Sequence, residues 1–180
     1  MPLRDRTRLT DYSCFFVTTT FNNWLALLQS ERYFSLLYDS LNFVNKKYNA
    51  QIVAYVFMPN HIHLIIYFIK DNYLSSYMRD FKKFTSVQIR TYLESDGHIE
   101  LLNQLRYADR QQKFKVWMDR FDDVVIRSTK VLLTKMQYIH FNPVKKELVK
   151  IPEDYLHSSA GFYLKEQVAR LPILHYSELV

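Results

Sequence analysis

Two apolar runs separated by a short turn form the centre of this sequence, where residues 52–68 read IVAYVFMPNHIHLIIYF. Both runs are rich in β-branched and aromatic residues, which predicts strands from Ile52 to Phe57 and from Ile62 to Phe68 joined by Met58-Pro59-Asn60. The second run is apolar on both faces, as expected of a strand in the middle of a sheet. We therefore expect a hairpin whose second strand is central.

The sequence on either side of this hairpin predicts further alternation of strands and helices. In chain order the pattern predicts a strand from Cys14 to Phe21, a helix from about Ser30 to Lys47, the hairpin, a helix from about Leu74 to Tyr92, a strand from Phe121 to Arg127, and a helix capped by Ser128 that ends at Asn142 before Pro143. Residues 95–115 are polar and favour no element. This order predicts a ferredoxin-like α+β fold, an antiparallel sheet with helices on one face and an extra late helix.

Composition restricts the class of protein. The 180 residues, 48% hydrophobic and 23% charged, suit one domain with a filled core. Cys14 is the single cysteine and no leader-like segment opens the chain, so we expect a reducing, cytoplasmic location without disulfides. Apolar stretches such as Leu64 to Ile69, which is six residues long, are far shorter than the roughly 20 residues that span a bilayer. We expect a soluble protein with no membrane partner.

The charge of the chain suits a nucleic-acid partner, and its glycine content excludes two classes of nucleotide-binding motif. The net charge is +6, and residues 151–180 carry a net −2, so the basic excess lies in the first 150 residues. With 14 Tyr and 13 Phe, this excess suits a surface that neutralises phosphates and stacks bases, although most of these rings are expected in the core. Only two glycines occur, which excludes the Rossmann fingerprint and the P-loop and predicts no nucleotide cofactor.

Two histidines stand at the start of the second hairpin strand. His61 and His63 point to the same face, because side chains alternate along a strand. Such a pair is half of a metal site, although an isolated His-x-His pair is more often structural or incidental. The remaining ligands would have to come from elsewhere. His98 and His157 are expected at the surface.

The late helix offers a candidate for the other half of this metal site, in the sequence Tyr138-Ile139-His140-Phe141-Asn142-Pro143. Tyr138 and Asn142 share a face at four-residue spacing, and Lys135 lies one turn earlier on that face. His140 is about 200° around the helix from Tyr138 and is expected to point away. Spacing does not single out Tyr138, because the same spacing occurs in Tyr38/Asn42, Tyr92/Asp96 and Tyr107/Gln111.

Three motifs together resemble the REP-associated branch of the single-tyrosine HUH transposases, a transposase IS200-like family. They are Met58-Pro59-Asn60-His61-Ile62-His63-Leu64, Tyr138-Ile139-His140-Phe141-Asn142-Pro143-Val144, and the later Leu148-Val149, Pro152, Tyr155 and Ser158-Ser159. The resemblance runs from the first strand to about Tyr163, so we expect one domain over residues 1–180 with its core at about 12–163 and a C-terminal tail. His157 replaces a frequent tryptophan of the family, and Glu147 a frequent glycine.

The resemblance implies a chemistry and a ligand set. It implies His61, His63 and Asn142 as ligands of one divalent metal, Mg²⁺ or Mn²⁺, and Tyr138 as the nucleophile. The expected function is nicking and joining of single-stranded DNA near a hairpin through a 5′-phosphotyrosine, by a monomer or a homodimer. Two alternatives remain, a domesticated DNA-binding module with weak catalysis and a metal phosphodiesterase that uses water. The predicted DNA contacts are Lys82, Lys83, Arg90, Arg120, Arg127 and Lys135.

Overall fold

A four-stranded antiparallel sheet organises the protein in a computed structural model that describes residues 13–70, 73–109 and 112–179. In chain order, the strands and α-helices are β1 (Cys14–Thr20), α1 (Glu31–Tyr48), β2 (Ala50–Met58), β3 (His61–Phe68), α2 (Leu74–Ser95), α3 (Ile99–Gln104), β4 (Arg106–Asp109), β5 (Gln112–Phe114), β6 (Asp122–Val125), α4 (Thr129–Lys145) and α5 (Ala160–Lys165). Strands β1, β2, β3 and β6 form the main sheet, and β4 and β5 form a separate two-stranded sheet. The strand order β2-β3-β1-β6 confirms the predicted ferredoxin-like fold and the central position of β3.

The two faces of the sheet bury separate hydrophobic cores. Alternate residues of β3, such as Leu64 and Ile66, pack with α1 and α2 on one face. Ile65 belongs to the other core, with Leu132 and Met136 of α4. The predicted layer of helices therefore covers one face, and the late helix covers the opposite face. His61 and His63 share the Ile65 face, because all three lie at alternate positions, so they open toward α4.

Element boundaries differ from the prediction in two places. Helix α4 begins after Ser128 as predicted, with the Ser128 side chain accepting a hydrogen bond from the Val131 amide. It does not end at Asn142, because Pro143 is accommodated within the last turn and Lys146 N–H still donates to the Asn142 carbonyl. The proline removes one intrahelical hydrogen bond, because its nitrogen carries no hydrogen, yet the helix continues through it to Lys145. The ambiguous residues 95–115 contain the last residue of α2 and the whole of α3, β4 and β5.

The outer edge of β2 is covered by later parts of the chain. Phe57 N–H donates to the His157 carbonyl at 2.9 Å, and Ser159 N–H donates to the Tyr55 carbonyl at 3.0 Å. Further along β2, Leu174 N–H donates to the Ile52 carbonyl at 2.9 Å. The segment after Tyr163 is thus paired with the sheet. The expected start of the core, about residue 12, lies outside the described residues.

Within the described part of the chain, no helix combines the length and the apolar character required to cross a membrane.

Candidate active site between β3 and α4

Both histidines of the β3 pair are buried and oriented by neighbouring side chains. His61 Nδ1 lies 2.6 Å from Asn60 Oδ1. Because that oxygen can only accept, His61 donates through Nδ1 and keeps the Nε2 lone pair free. His63 Nδ1 is hydrogen-bonded at 2.8 Å to the hydroxyl of Thr18, its cross-strand partner on β1. In each ring Nε2 is therefore the atom available to the site.

Asn142 brings α4 to this pair. Its Nδ2 lies 3.2 Å from His63 Nε2, in a buried contact between residues far apart in the sequence. Its Oδ1 is also buried and has no hydrogen-bond partner among the residues that the structure describes. A buried acceptor without a partner is costly, and such atoms are uncommon in folded proteins. Asn142 therefore presents an unused oxygen beside two imidazoles.

Burial keeps both imidazoles neutral. It lowers the pKa of His61 to about 4, assisted by the charge of Lys146 and opposed by the polar side chain of the neighbouring Asn142. It lowers the pKa of His63 to about 3, assisted by the neighbouring His61 and by Lys135. Near neutral pH both rings are therefore uncharged, which is the form in which histidine binds a metal.

The donor set fits a divalent cation with a partly hydrated shell. Two imidazole nitrogens and one amide oxygen are neutral donors, and Mg²⁺ or Mn²⁺ would need oxygens from water or a phosphate to complete the coordination. Among the described residues, no three His, Cys, Asp or Glu side chains converge on a common point. The amide of Asn142 is thus the third protein donor that this arrangement offers.

Tyr138 lies beside the pair and is open to solvent. Its ring is 5.1 Å from the His63 ring, edge to face, and 5.8 Å from Phe16. Phe16 in turn stacks on His63 at 5.5 Å. Tyr138 remains 40% exposed, so the structure holds the ring against β1 and β3 and leaves it accessible to a large substrate.

Lysines surround this tyrosine. Lys135 Nζ lies 4.5 Å from the centre of the Phe16 ring, and Lys145 Nζ lies 5.3 Å from the centre of the Tyr138 ring. Sequence reasoning had selected Lys135 but missed Lys145, which lies two helical turns after Tyr138 on the same face. With Lys146 near His61, these residues make the site electropositive.

The competing tyrosines lie elsewhere. Tyr38 is buried on α1, against Tyr55 and Phe57. Tyr92 lies beneath the Arg32 guanidinium, 3.7 Å from the ring centre. The ring of Tyr107 faces Lys115, and Gln111 lies outside the described residues. Of the four tyrosines considered, Tyr138 is the one whose described contacts include a histidine of the β3 pair.

Two further histidines, His140 and His157, pack within the fold and away from Tyr138. His140 points away from Tyr138, as predicted, and its Nε2 is hydrogen-bonded at 2.9 Å to Ser159 Oγ. The surface position expected for His157 is wrong. Its side chain is 12% exposed and its ring stacks on Phe34 at 3.5 Å, because the segment that pairs with β2 presses the ring onto α1.

A basic groove lies on the opposite face, between α2 and residues 113–121. This groove has a volume of about 670 Å³. Its basic lining residues are Arg79, Lys82, Lys83, Arg90, Lys113 and Lys115. Trp117 and Phe114 contribute aromatic walls, and Asp119 is the acidic residue among the groove's described lining.

The six predicted DNA contacts are divided between the two faces. Lys82, Lys83 and Arg90 line the groove, and Lys135 lies at the Tyr138 site. Arg120 and Arg127 are exposed and flank β6 at the sheet edge. Lys82 also has a structural role, because its Nζ donates hydrogen bonds to the carbonyls of Met118 and Asp119. Burial lowers the pKa of this lysine.

Comparison with known proteins assigns the family. The profile of the family described as "Transposase IS200 like" matches residues 26–142, which is more than half of the chain. The chain therefore belongs to the transposase IS200-like family, as the motifs predicted.

The chain is also similar to two REP-associated proteins. It is similar to a Haemophilus influenzae (strain Rd) protein named "Putative REP-associated tyrosine transposase", with 28% identity over 127 residues that cover 67% of this chain and 65% of the relative. The aligned part thus spans about two thirds of the relative's length. A solved structure of a REP-associated tyrosine transposase bound to a REP hairpin shares the fold, with a TM-score of 0.62, 24% identity, and coverage of 88% of this chain and 82% of that one.

Proposed function

We propose that this protein nicks and rejoins single-stranded DNA next to a hairpin, with Tyr138 as the nucleophile. The observation that carries the proposal is the placement of an exposed tyrosine against a buried histidine pair and an amide oxygen without a partner. The named activity of the Haemophilus relative and the hairpin bound in the similar structure support the same substrate.

The chemistry begins at the Tyr138 hydroxyl. Its oxygen attacks the scissile phosphorus, a P–O bond to tyrosine forms, and the bond from phosphorus to the 3′ oxygen breaks. The phenolic proton leaves, and the departing oxygen gains a proton to become a free 3′-hydroxyl. The 5′-phosphotyrosine conserves the energy of the broken bond, so a 3′-hydroxyl can later attack it and rejoin the strand without ATP.

Positive charge from the lysines and from a metal would assist the reaction. Lys135 and Lys145 place positive charge on either side of Tyr138, where a phosphate must approach. His61, His63 and Asn142 would hold the divalent metal, Mg²⁺ or Mn²⁺, which when bound would supply positive charge to the phosphoryl oxygens. Thr18 and Asn60 keep the two imidazoles in the orientation that exposes Nε2.

The groove beside α2 is proposed to hold the hairpin. Four of its cations lie along the α2 wall of the cleft, which suits the regularly spaced phosphates of a duplex stem, and Lys113 and Lys115 lie on the opposite wall. Lys83 is the exposed contact, Arg90 lies 5.4 Å over the Phe114 ring, and Lys82 fixes the opposite wall. Arg120 and Arg127 are proposed to contact phosphates where the DNA leaves the groove.

A denaturing gel with labelled hairpin DNA carrying single-stranded extensions tests the reaction. The native protein with Mg²⁺ or Mn²⁺ is expected to form a covalent adduct, and Tyr138→Phe is expected to bind the DNA without forming it. Tyr92→Phe, at the same spacing from a potential ligand, is the matched control and should retain the adduct. An adduct that persists in Tyr138→Phe would contradict the assignment.

The same gel separates the alternatives. Cleavage without an adduct in both native protein and Tyr138→Phe would indicate a water-using phosphodiesterase. Binding without cleavage by either protein would indicate a domesticated DNA-binding module. Chromatography of the complex would distinguish a monomer from a homodimer.

A further inference from the structure

An exposed tryptophan lies next to the β3 histidines. Trp24 ends the short 3₁₀ turn Asn22–Trp24 after β1 and is 58% exposed. Its ring lies edge to face with His61, with 6.0 Å between the ring centres. A broad aromatic face is therefore open to solvent at the rim of the Tyr138 site.

The backbone of this turn does not favour a tryptophan. Asn23 has φ 55° and Trp24 has φ 56°, both in the left-handed region that disfavours bulky residues. The turn is held by hydrogen bonds from Trp24 N–H to the Phe21 carbonyl and from Leu25 N–H to the Asn22 carbonyl. Glycine would adopt this backbone with less strain. Strain of this kind clusters where a side chain serves a ligand, which suggests that the ring itself is needed.

The turn also joins the two DNA-facing regions. On one side, Asn22 N–H donates to the Val116 carbonyl at 2.8 Å, and Phe21 stacks on Trp117 at 4.0 Å, both in the wall of the basic groove. On the other side, Phe21 N–H donates at 3.0 Å to the carbonyl of Asn60, the residue before His61. A strand that leaves the groove for Tyr138 can therefore pass over this turn.

We propose that Trp24 is a stacking platform for an unpaired base of the DNA strand that connects the groove to the scissile phosphate. This inference rests on the proposed function and adds a residue that positions the strand. Aromatic rings stack on any base, so the platform would order the strand without reading its sequence. The family profile begins at residue 26 and does not include this turn.

The test uses full-length Tyr138→Phe protein, which avoids the reaction, and three DNA probes. One hairpin carries ten unpaired thymidines, a second carries the same extension without bases, and a third has no extension. Acrylamide quenching reports mainly on Trp24, because Trp117 is 4% exposed. Trp24→Gly is added to the same background, since it removes the ring and suits the left-handed backbone, and Trp24→Phe retains a smaller ring.

We expect the thymidine extension to protect the exposed tryptophan from acrylamide, and the other two probes to protect it much less. Trp24→Gly should bind the thymidine probe about tenfold more weakly, in line with the loss of one base–aromatic stack, and should bind the baseless probe as before. Trp24→Phe should recover part of the difference. Thermal unfolding should show that Trp24→Gly is folded.

The proposal that Trp24 stacks on a base would be wrong if saturating DNA left the acrylamide quenching unchanged. It would also be wrong if Trp24→Gly and its parent bound the thymidine probe equally. These results do not depend on cleavage, so they are distinct from an absent covalent adduct, which would overturn the nicking reaction alone. If the parent protein bound none of the three hairpins, both the platform and the proposed DNA partner would be wrong.

Discussion

Asn142 Nδ2 lies 3.2 Å from His63 Nε2, so a single buried contact connects the last turn of α4 to the central strand of the sheet. The two residues are far apart in the sequence, and both are nearly inaccessible to solvent. Because Tyr138 precedes Asn142 by one helical turn, this contact also fixes the tyrosine relative to the histidines. The geometry of the proposed reaction therefore depends on how α4 is docked.

Removing either histidine is expected to abolish metal-dependent cleavage while leaving most of the DNA affinity. His61→Ala and His63→Ala each delete a proposed ligand, whereas the groove cations remain. Asn142→Ala should weaken Mn²⁺ binding less, because water can partly replace an amide oxygen. Calorimetry with Mn²⁺ measures the effect, with His98→Ala as a histidine control outside the site. Unchanged affinity in both site variants would place the metal elsewhere.

Thr18→Val tests the orientation of His63. The hydroxyl bonds to His63 Nδ1 at 2.8 Å, and loss of such a contact to a metal-binding histidine typically lowers metal affinity about 10- to 100-fold. Thr19→Val is the matched control one residue along β1, where the hydroxyl is buried without a partner. This control should leave Mn²⁺ binding intact and keep or raise the thermal stability. Equal loss in both variants would indicate a general defect in β1.

If the basic groove binds DNA, the DNA affinity of the protein should depend on salt concentration. Lys83→Ala removes an exposed cation, so the slope of log affinity against log salt should become shallower by about 0.9 if the contact is to duplex DNA, or about 0.7 if it is to a single strand. The unfolding free energy should not change. Lys82→Ala should also lower stability, by about 1 kcal/mol, because Nζ donates to two carbonyls that cross-link α2 to the opposite wall. A slope unaffected by Lys83→Ala would exclude this residue from the interface.

His157 should make the protein less stable in acid. Burial against Phe34 lowers its pKa to about 4, partly offset by Glu31, whereas an unfolded chain would protonate it near pH 6.5. As the pH falls from about 6.5 to 4, the unfolded state gains the proton first, so the unfolding free energy declines by about 2 kcal/mol from this residue. Below about pH 4 both states are protonated and the decline from His157 stops.

His157→Trp isolates that contribution. It keeps an aromatic ring at the stack with Phe34 and removes the titrating group. The other buried histidines remain, so the difference between native and variant urea-unfolding curves at several pH values measures His157 alone. The variant should lose less stability between pH 6.5 and 4. Parallel curves would mean that His157 does not titrate differently in the folded state.

The sequence predicts the fold well because strand and helix periodicity were strong where the chain crosses the core. Apolar residues on both faces of β3 identified the central strand. Four-residue spacing did not single out Tyr138 and Asn142, and the family resemblance was needed to select their helix face. The two-stranded β4-β5 sheet was not predictable, because its residues are polar and carry little periodicity. The end of α4 was misjudged, since a local rule about Pro143 could not account for the packing of Asn142 on His63.

The sequence did not predict several residues near the candidate site, because their positions depend on contacts between distant parts of the chain. Thr18 meets His63 through strand register, and no local pattern encodes that register before the sheet is known. Trp24 lies in a turn whose backbone is unusual for tryptophan, so sequence alone offered no element on which to place it. Lys145 could have been found, because seven residues from Tyr138 is two helical turns.

The pairing of β2 with later segments has a consequence for aggregation and for assembly. An unprotected strand edge invites another chain to add to the sheet, yet here residues 157–159 and 173–174 already occupy hydrogen-bonding positions along β2. At the other edge, β6 is four residues long and carries exposed Asp122 and Asp123, charges that discourage uncontrolled pairing. The C-terminal segment therefore protects the edge of β2 from pairing with another chain. A second copy could extend the sheet at β2 only if this segment first dissociated from the strand.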